Sequence, residues 1–89
     1  MDNSTLHLDI ISPEAKIFSG DVSSAVFPGG DGFFGVLPHH TPMISSLNKG
    51  VITYKVQGEQ YVVEIERGVV EVRNNEVTVC VEQIQRTES

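Results

Sequence analysis

The chain has 89 residues, a formal net charge of −6 and a sequence pI of about 4.8, which is enough chain for one small domain. The acidic balance argues against nucleic-acid binding, which needs a basic stripe, and against direct attachment to an anionic membrane surface, whereas it suits a basic protein partner. No apolar run reaches the roughly 20 residues that span a bilayer, and no signal-peptide pattern opens the chain, so we expect a protein of the bacterial cytoplasm without direct membrane insertion.

The N-terminal half predicts short strands separated by turns. Leu6, Leu8 and Ile10 alternate with polar neighbours, which is the period of a half-buried strand. We expect turns at residues 19–21 and 28–32, on either side of a strand over residues 22–27. Two prolines exclude a regular central strand or helix at residues 38–42, and residues 43–47 fit either a strand or a short helical turn.

The first hairpin of the C-terminal half is predicted to turn at Gly58-Glu59, with glycine in the first central position that a type II′ turn prefers. This register gathers the apolar side chains on one face, in the pairs Val56–Tyr61, Tyr54–Val63 and Ile52–Ile65. The opposite face is largely polar.

The second hairpin is predicted to turn at Asn74-Asn75, because asparagine tolerates positive φ. One face then carries the pairs Val72–Val77 and Val70–Val79, and the other carries the polar pairs Arg73–Glu76 and Glu71–Thr78. No helical periodicity competes with these strands. The sequence therefore predicts a single all-β sandwich or barrel domain over residues 1–83, followed by a polar tail at residues 84–89.

The residues that could carry chemistry do not assemble a predicted active site. The single cysteine, Cys80, lies in an alternating apolar run and is expected to be a small buried or half-buried side chain. The glycine-rich segment 29–32 lacks the Lys-Ser/Thr pair of a phosphate-binding loop, so we expect a tight hairpin loop and neither cofactor nor tightly bound ATP. The acidic residues are expected on solvated outward faces: Glu64, Glu66, Glu71 and Glu76.

The three histidines leave one alternative open. His39 and His40 are adjacent, a poor arrangement for chelation because neighbouring side chains of a strand point to opposite faces. The alternative is a small metal-dependent enzyme that uses these two histidines and His7, although no metal-ligand spacing is present. We expect loop histidines instead.

Several segments together resemble the epsilon subunits of F-type ATP synthases. They are Leu-Asp-Ile-Ile-Ser-Pro-Glu at residues 8–14, Phe-Ser-Gly at 18–20, the glycine-rich loop and the segment after it at 29–42, and the segments 50–52, 68–72 and 74–79. The resemblance covers nearly the whole chain. Its most specific piece runs from Gly35 to Pro42.

The resemblance implies a sandwich of two mostly antiparallel sheets with about ten short strands. It also implies a non-catalytic rotor subunit that links the gamma subunit to the c-ring and couples proton flow to ATP synthesis. Such a subunit is peripheral on the cytoplasmic face of the inner membrane and binds its partners by two surfaces. By position, the c-ring polar loops would meet Gly30, Asp31, Gly32 and Phe33, and the gamma subunit would meet His40, Thr41, Pro42 and Met43.

The sequence departs from the family pattern at two positions and in length. His39 stands where glycine is common, and Phe33 stands where some members carry an acid. Longer members continue into a C-terminal helical hairpin, and the sequence leaves open whether this is a short natural form or a truncated one. A stand-alone β-sandwich binding module remains the alternative, although the chain has no Trp, and Tyr54 and Tyr61 are assigned to the apolar hairpin face.

Overall fold

A computed structural model describes residues 4–83, and all regular secondary structure in that range is β-strand. The strands in this range are β1 (Leu6–Ile11), β2 (Lys16–Val22), β3 (Ser24–Gly29), β4 (Gly32–Val36), β5 (Met43–Leu47), β6 (Gly50–Val56), β7 (Glu59–Arg73) and β8 (Glu76–Gln83). The all-β class is confirmed, with eight described strands in place of about ten. The tail predicted at residues 84–89 lies outside the described residues. Within residues 4–83, no helix is long and apolar enough to cross a bilayer.

The hairpin between β7 and β8 has the predicted register. Its loop residues Asn74 and Asn75 have φ angles of 53° and 62°, and positive values at both positions are typical of a type I′ turn. The buried valines face each other as expected, in the pairs Val72–Val77 and Val70–Val79.

The hairpin between β6 and β7 turns one residue earlier than predicted. Its loop is Gln57-Gly58, with φ angles of 50° and 85°, so glycine takes the second position of a type I′ turn. The prediction of a loop at Gly58-Glu59 is therefore wrong, and each partner shifts by two residues, to Tyr54–Tyr61 and Ile52–Val63. Because side chains alternate with a period of two, this shift leaves the same side chains on the inner face.

The turn predicted at residues 19–21 is also wrong, because these residues continue β2 and pair with residues 7–9 of β1. Gly20 caused the error, since an isolated glycine commonly signals a turn. In the strand it makes room for the ring of Phe18, whose Cζ would lie 3.2 Å from a Cβ at position 20.

The strands form one hydrogen-bonded path, β2-β1-β8-β7-β6-β3-β4, with β5 paired to β7 outside it. All described pairs are antiparallel except β1 with β8. In a flat sheet β2 and β6 would be about 19 Å apart, at roughly 4.8 Å per strand. The ring centroids of Phe18 on β2 and Tyr54 on β6 are 4.4 Å apart, so the sheet folds over into two layers around one core.

The long strand β7 belongs to both layers. Its first part pairs with β6, and its second part lies between β5 and β8. The pairing with β8 slips by one residue between Ile65 and Arg67, which leaves Glu66 as a bulge. Buried positions accordingly change from odd numbers, Val63 and Ile65, to even numbers, Val70 and Val72. The bulge therefore keeps the apolar side of β7 turned inward along the whole strand.

Cys80 is exposed, contrary to the expectation of a buried or half-buried thiol. The alternation in β8 explains the difference, because Val79 and Val81 take the inward positions and Cys80 points outward between them. An apolar run in a strand contains one outward residue for each inward one. Hydrophobic composition alone does not tell the two faces apart.

We expect Gly68→Ala to lower the free energy of unfolding by about 2 kcal/mol, the usual cost of overpacking. A Cβ at this position would lie 2.7 Å from the carbonyl oxygen of Cys80 and 3.1 Å from Cγ1 of Val81, so the ladder beside the bulge would have to open. Urea unfolding measures the effect. Gly30→Ala is the matched control, because nothing lies within 4 Å of its Cβ. Equal stability of the two variants would contradict this account of the bulge.

Candidate functional site

The segment that links β4 to β5 begins with a tight turn. The amide of His40 donates a hydrogen bond of 3.1 Å to the carbonyl oxygen of Leu37, which closes a four-residue turn with Pro38 and His39 at its centre. His39 has a φ angle of 66°. Proline at the second position and positive φ at the third are typical of a type II turn, in which glycine or asparagine is usual at the third position. A non-glycine residue here is strained.

Asn75 connects this turn to two other segments. Its Oδ1 accepts a hydrogen bond of 2.8 Å from the amide of His39, and its Nδ2 donates one of 2.9 Å to the carbonyl oxygen of Thr5. Its own carbonyl oxygen accepts a hydrogen bond of 3.1 Å from the amide of His7. One residue of the β7–β8 loop thus joins the start of β1 and the β4–β5 loop.

The four residues predicted to meet the gamma subunit are contiguous but differ in exposure. Thr41 and Pro42 are exposed, whereas His40 is half-buried. The Nδ1–H of the His40 ring donates a hydrogen bond of 2.7 Å to the carbonyl oxygen of Thr41, so this nitrogen serves the loop itself. Met43 is half-buried and packs against the core, opposite Val72 of β7.

Two exposed apolar residues next to this loop were missed from the sequence. Leu37 is 61% exposed and Ile44 is 72% exposed, and they flank the loop on either side in the chain. The signal for Ile44 was available, because Met43 and Ile44 are neighbours in a strand and must point to opposite faces. Once Met43 packs inward, Ile44 points outward. The ambiguity between strand and helix at residues 43–47 concealed this.

The four residues predicted to meet the c-ring form the tip of the β3–β4 hairpin. Gly30 and Asp31 are its exposed two-residue loop, Gly32 follows with a φ angle of 122°, and Phe33 is 69% exposed. Asn48 fixes the base of this hairpin, since its amide and its side chain donate hydrogen bonds to the carbonyl oxygens of residues 28 and 29. The hairpin tip therefore presents one carboxylate and one aromatic ring on a fixed base.

The two predicted surfaces lie near opposite ends of β5. Met43, at its start, pairs with Val72 beside the β7–β8 loop, whereas Leu47, at its end, precedes Asn48 at the base of the β3–β4 hairpin. The four steps from residue 43 to residue 47 separate these ends by roughly 13 Å at the usual rise of a strand. The fold therefore keeps the two sets apart.

The other candidate centres are distributed over the sheet. His7 lies between two carboxylates, 3.4 Å from Asp9 and 3.2 Å from Asp21. Among the described residues, no group of three or more His, Cys, Asp or Glu side chains is arranged to hold a metal ion. The three histidines are thus not brought together as metal ligands in this part of the chain.

Three pKa shifts have local causes in the sheet. A hydrogen bond from the Ser19 side chain lowers the pKa of Asp9, with a smaller contribution from His7. Burial raises the pKa of Tyr54. The pKa of Tyr61 is raised because its own hydroxyl group donates a hydrogen bond to the Glu59 carboxylate. The Tyr54 and Tyr61 rings stack with centroids 5.6 Å apart. The sequence assigns both to the apolar hairpin face, but only Tyr54 is buried in the core, and Tyr61 is 44% exposed.

An open apolar groove of about 610 Å³ lies on the outer side of the β5-β7-β8-β1 layer. Its walls include Ile11, Pro13, Val69 and the outward side of Cys80, and the ion pair of Arg67 with Glu82, 3.5 Å long, stands at its rim. The groove involves neither of the two predicted contact sets.

Comparison with known proteins places this sequence in a family. A family profile described as the β-sandwich domain of the ATP synthase Delta/Epsilon chain matches residues 5–87. An ATP synthase epsilon chain from Pelotomaculum thermopropionicum is 43% identical over 88 residues, covering 99% of this chain and 66% of the relative. One from a Nitratiruptor species is 46% identical over 79 residues, covering 88% of this chain and 61% of the relative. The chain thus spans slightly less than two-thirds of these relatives.

Solved structures show the same fold at much lower identity. A chain in the mitochondrial ATP synthase of Euglena gracilis superposes with a TM-score of 0.79 at 18% identity, covering 92% of this chain and 52% of that one. A chain in the central stalk and c-ring structure of the Tetrahymena thermophila enzyme gives a TM-score of 0.76 at 11% identity, covering 93% and 67%. The strand arrangement is therefore shared across very different sequences.

The positive φ of His39 gives a test of the loop geometry. We expect His39→Gly to be at least as stable as the parent chain, whereas His39→Val should lose about 1–2 kcal/mol, because a β-branched residue is strongly disfavoured at positive φ. Both variants keep the backbone amide that bonds to Asn75. Urea unfolding midpoints measure the difference. If His39→Val matched the parent chain, residue 39 would not be in the left-handed region.

Proposed function

Because the chain belongs to the family of the ATP synthase Delta/Epsilon chain β-sandwich domain, we propose that it serves as a non-catalytic rotor subunit linking the gamma subunit to the c-ring. The profile match over residues 5–87 is the observation that carries this proposal. In this role the chain couples proton flow to ATP synthesis by holding the gamma subunit and the c-ring together. It is peripheral on the cytoplasmic face of the bacterial inner membrane, attached through its partners.

For the gamma subunit, we propose the loop surface His40, Thr41, Pro42 and Met43, extended by Leu37 and Ile44. Protein interfaces have a desolvated apolar centre within a polar rim. The exposed side chains of Leu37 and Ile44 supply such apolar area beside the polar loop. The turn restrains the backbone between them, which reduces the ordering entropy lost on binding.

For the c-ring, we propose the hairpin tip Gly30, Asp31, Gly32 and Phe33. The Asp31 carboxylate is exposed and suits a basic group on the polar loops of the ring. Phe33, 69% exposed beside it, supplies the larger part of the contact area. Compared with a tip that carries two acids, this contact is more apolar and less sensitive to salt.

The gamma surface is tested by Ile44→Asp and His40→Ala in the 89-residue chain. We expect roughly tenfold weaker binding to the gamma subunit of the same organism for Ile44→Asp, because a charge replaces an apolar anchor at the interface. His40→Ala should lose roughly three- to fivefold, because the ring bond that shapes the loop is removed. Titration calorimetry measures both affinities.

The matched control is Val62→Asp, which places the same charge on another exposed strand position, 58% exposed, in the first part of β7. Thermal unfolding confirms that each variant is folded. Unchanged affinity for gamma in both folded test variants would exclude this surface.

The c-ring surface is tested by Asp31→Lys. We expect the complex of this variant with gamma to form normally but to attach less well to purified c-ring, with the larger loss at low salt, where charge effects are less screened. Glu14→Lys is the control, because it makes the same charge change at another exposed position. Ring attachment that is equal for both variants at every salt concentration would refute a role for Asp31.

The alternative function is a stand-alone binding module, and the apolar groove is the observation that favours it. Its volume, about 610 Å³, lies within the range of small-molecule pockets. Co-purification separates the two proposals. A tagged chain expressed in its own cells should recover gamma and c subunits if it is a rotor subunit, whereas a binding module would be recovered without them.

A further inference from the structure

The His39 turn is strained and yet held in one conformation. Residues at positive φ other than glycine persist only where the surroundings over-determine them. The ring of Pro38 fixes the φ angle of residue 38, and the hydrogen bond from the His40 amide to the Leu37 carbonyl oxygen closes the turn. Both restraints act within the loop. Among the described residues, the bond that ties His39 to the rest of the domain comes from Asn75.

The geometry of the Asn75 amide allows only one orientation. Its oxygen faces the His39 N–H, which donates, and its nitrogen faces the Thr5 carbonyl oxygen, which accepts. Exchanging the oxygen and nitrogen would oppose donor to donor and acceptor to acceptor. One orientation of the amide therefore makes both bonds, and the reversed orientation makes neither. The side chain acts as a clamp between β1 and the β4–β5 loop.

The β7–β8 loop gives the clamp a fixed base. Asn74 and Asn75 occupy a two-residue loop whose register is set by buried valine pairs, and the Asn75 carbonyl is bonded to His7 of β1. The Asn75 Cα therefore has little freedom. The side chain projects from the two-residue loop of this hairpin to the β4–β5 loop.

We propose that Asn75 is a positioning residue, which holds the β4–β5 loop in the conformation that the gamma subunit binds. This inference rests on the proposed function, because it takes residues 40–43 as part of the gamma surface. Asn75 itself makes no contact with the partner. Its side chain keeps the loop population in the binding-competent state, and without it the apparent affinity falls with that population.

The test uses a matched pair of glycine substitutions, Asn75→Gly and Asn74→Gly. Both residues have positive φ in the same loop, so glycine suits either position and changes the entropy of the unfolded chain equally. Asn75→Gly removes the two side-chain bonds of the clamp, whereas Asn74→Gly keeps them. Any difference between the variants therefore reports the side chain of Asn75.

The first measurement is amide hydrogen exchange by NMR on the isolated chain. We expect the His39 amide to exchange roughly tenfold faster in Asn75→Gly than in Asn74→Gly, because its hydrogen-bond acceptor is gone. The amides of Val70 and Val79 should exchange alike in both, which confirms an intact sheet. Equal exchange at His39 in the two folded variants would overturn the clamp, whatever gamma does.

The second measurement is affinity for the gamma subunit. We expect Asn75→Gly to bind the gamma subunit roughly fivefold more weakly than Asn74→Gly. The loss of one average hydrogen bond lowers the population of the binding-competent loop about fivefold, and the apparent affinity falls by the same factor. If the two variants bind gamma equally while Ile44→Asp weakens binding, the loop surface stands and the positioning role of Asn75 is refuted. If Ile44→Asp and His40→Ala also bind normally, the proposed gamma surface itself fails, and the positioning role with it.

Discussion

The bulge at Glu66 lets one strand line the interior of both layers. An uninterrupted strand of fifteen residues keeps one set of alternate side chains on each face, so Val63 and Val70 would point to opposite sides. The extra residue exchanges the two sets at the point where β7 leaves β6 and enters the ladder with β5 and β8. The single core of the folded-over sheet depends on this exchange. It also explains why Gly68, next to the bulge on the inward side, has no room for a side chain.

The same frame separates and supports the two proposed partner surfaces. Each surface is bonded to a neighbouring loop by an asparagine: Asn75 holds the β4–β5 loop, and Asn48 holds the β3–β4 hairpin. Asn75 uses both the acceptor and the donor of its side-chain amide to join two segments, whereas Asn48 donates from its backbone amide and its side chain to adjacent carbonyl groups of one hairpin. A subunit that transmits rotation between two partners needs its contact surfaces fixed relative to each other. Short loops bonded to a continuous sheet meet that need better than free loops.

Alternation and turn chemistry predicted part of this fold, and the errors have physical reasons. The β7–β8 hairpin was predictable because the adjacent residues Asn74 and Asn75 both tolerate positive φ and mark one two-residue loop. The β6–β7 hairpin was not, because loops at Gln57-Gly58 and at Gly58-Glu59 place the same side chains inward. Gly20 was interpreted as a turn residue, whereas in the structure it lies within β2 and leaves space for the ring of Phe18. The hairpin tip could be located from its glycines, whereas the Asn75 bond could not, because it joins residues 36 positions apart in the sequence.

At His39 the cost of backbone strain and the gain from the hydrogen bond to Asn75 are free energies of similar size. A residue other than glycine at positive φ costs of order 1 kcal/mol or more, and a hydrogen bond contributes about 1 kcal/mol net. The strain at His39 is thus largely offset by the bond that its own amide makes. Glycine at position 39 would remove the strain but would also leave the turn free to adopt other conformations. With histidine at position 39 the turn has fewer accessible conformations than with glycine, and the hydrogen bond to Asn75 makes one of them dominant. That arrangement favours a loop that is ordered before its partner arrives, at little net cost in stability.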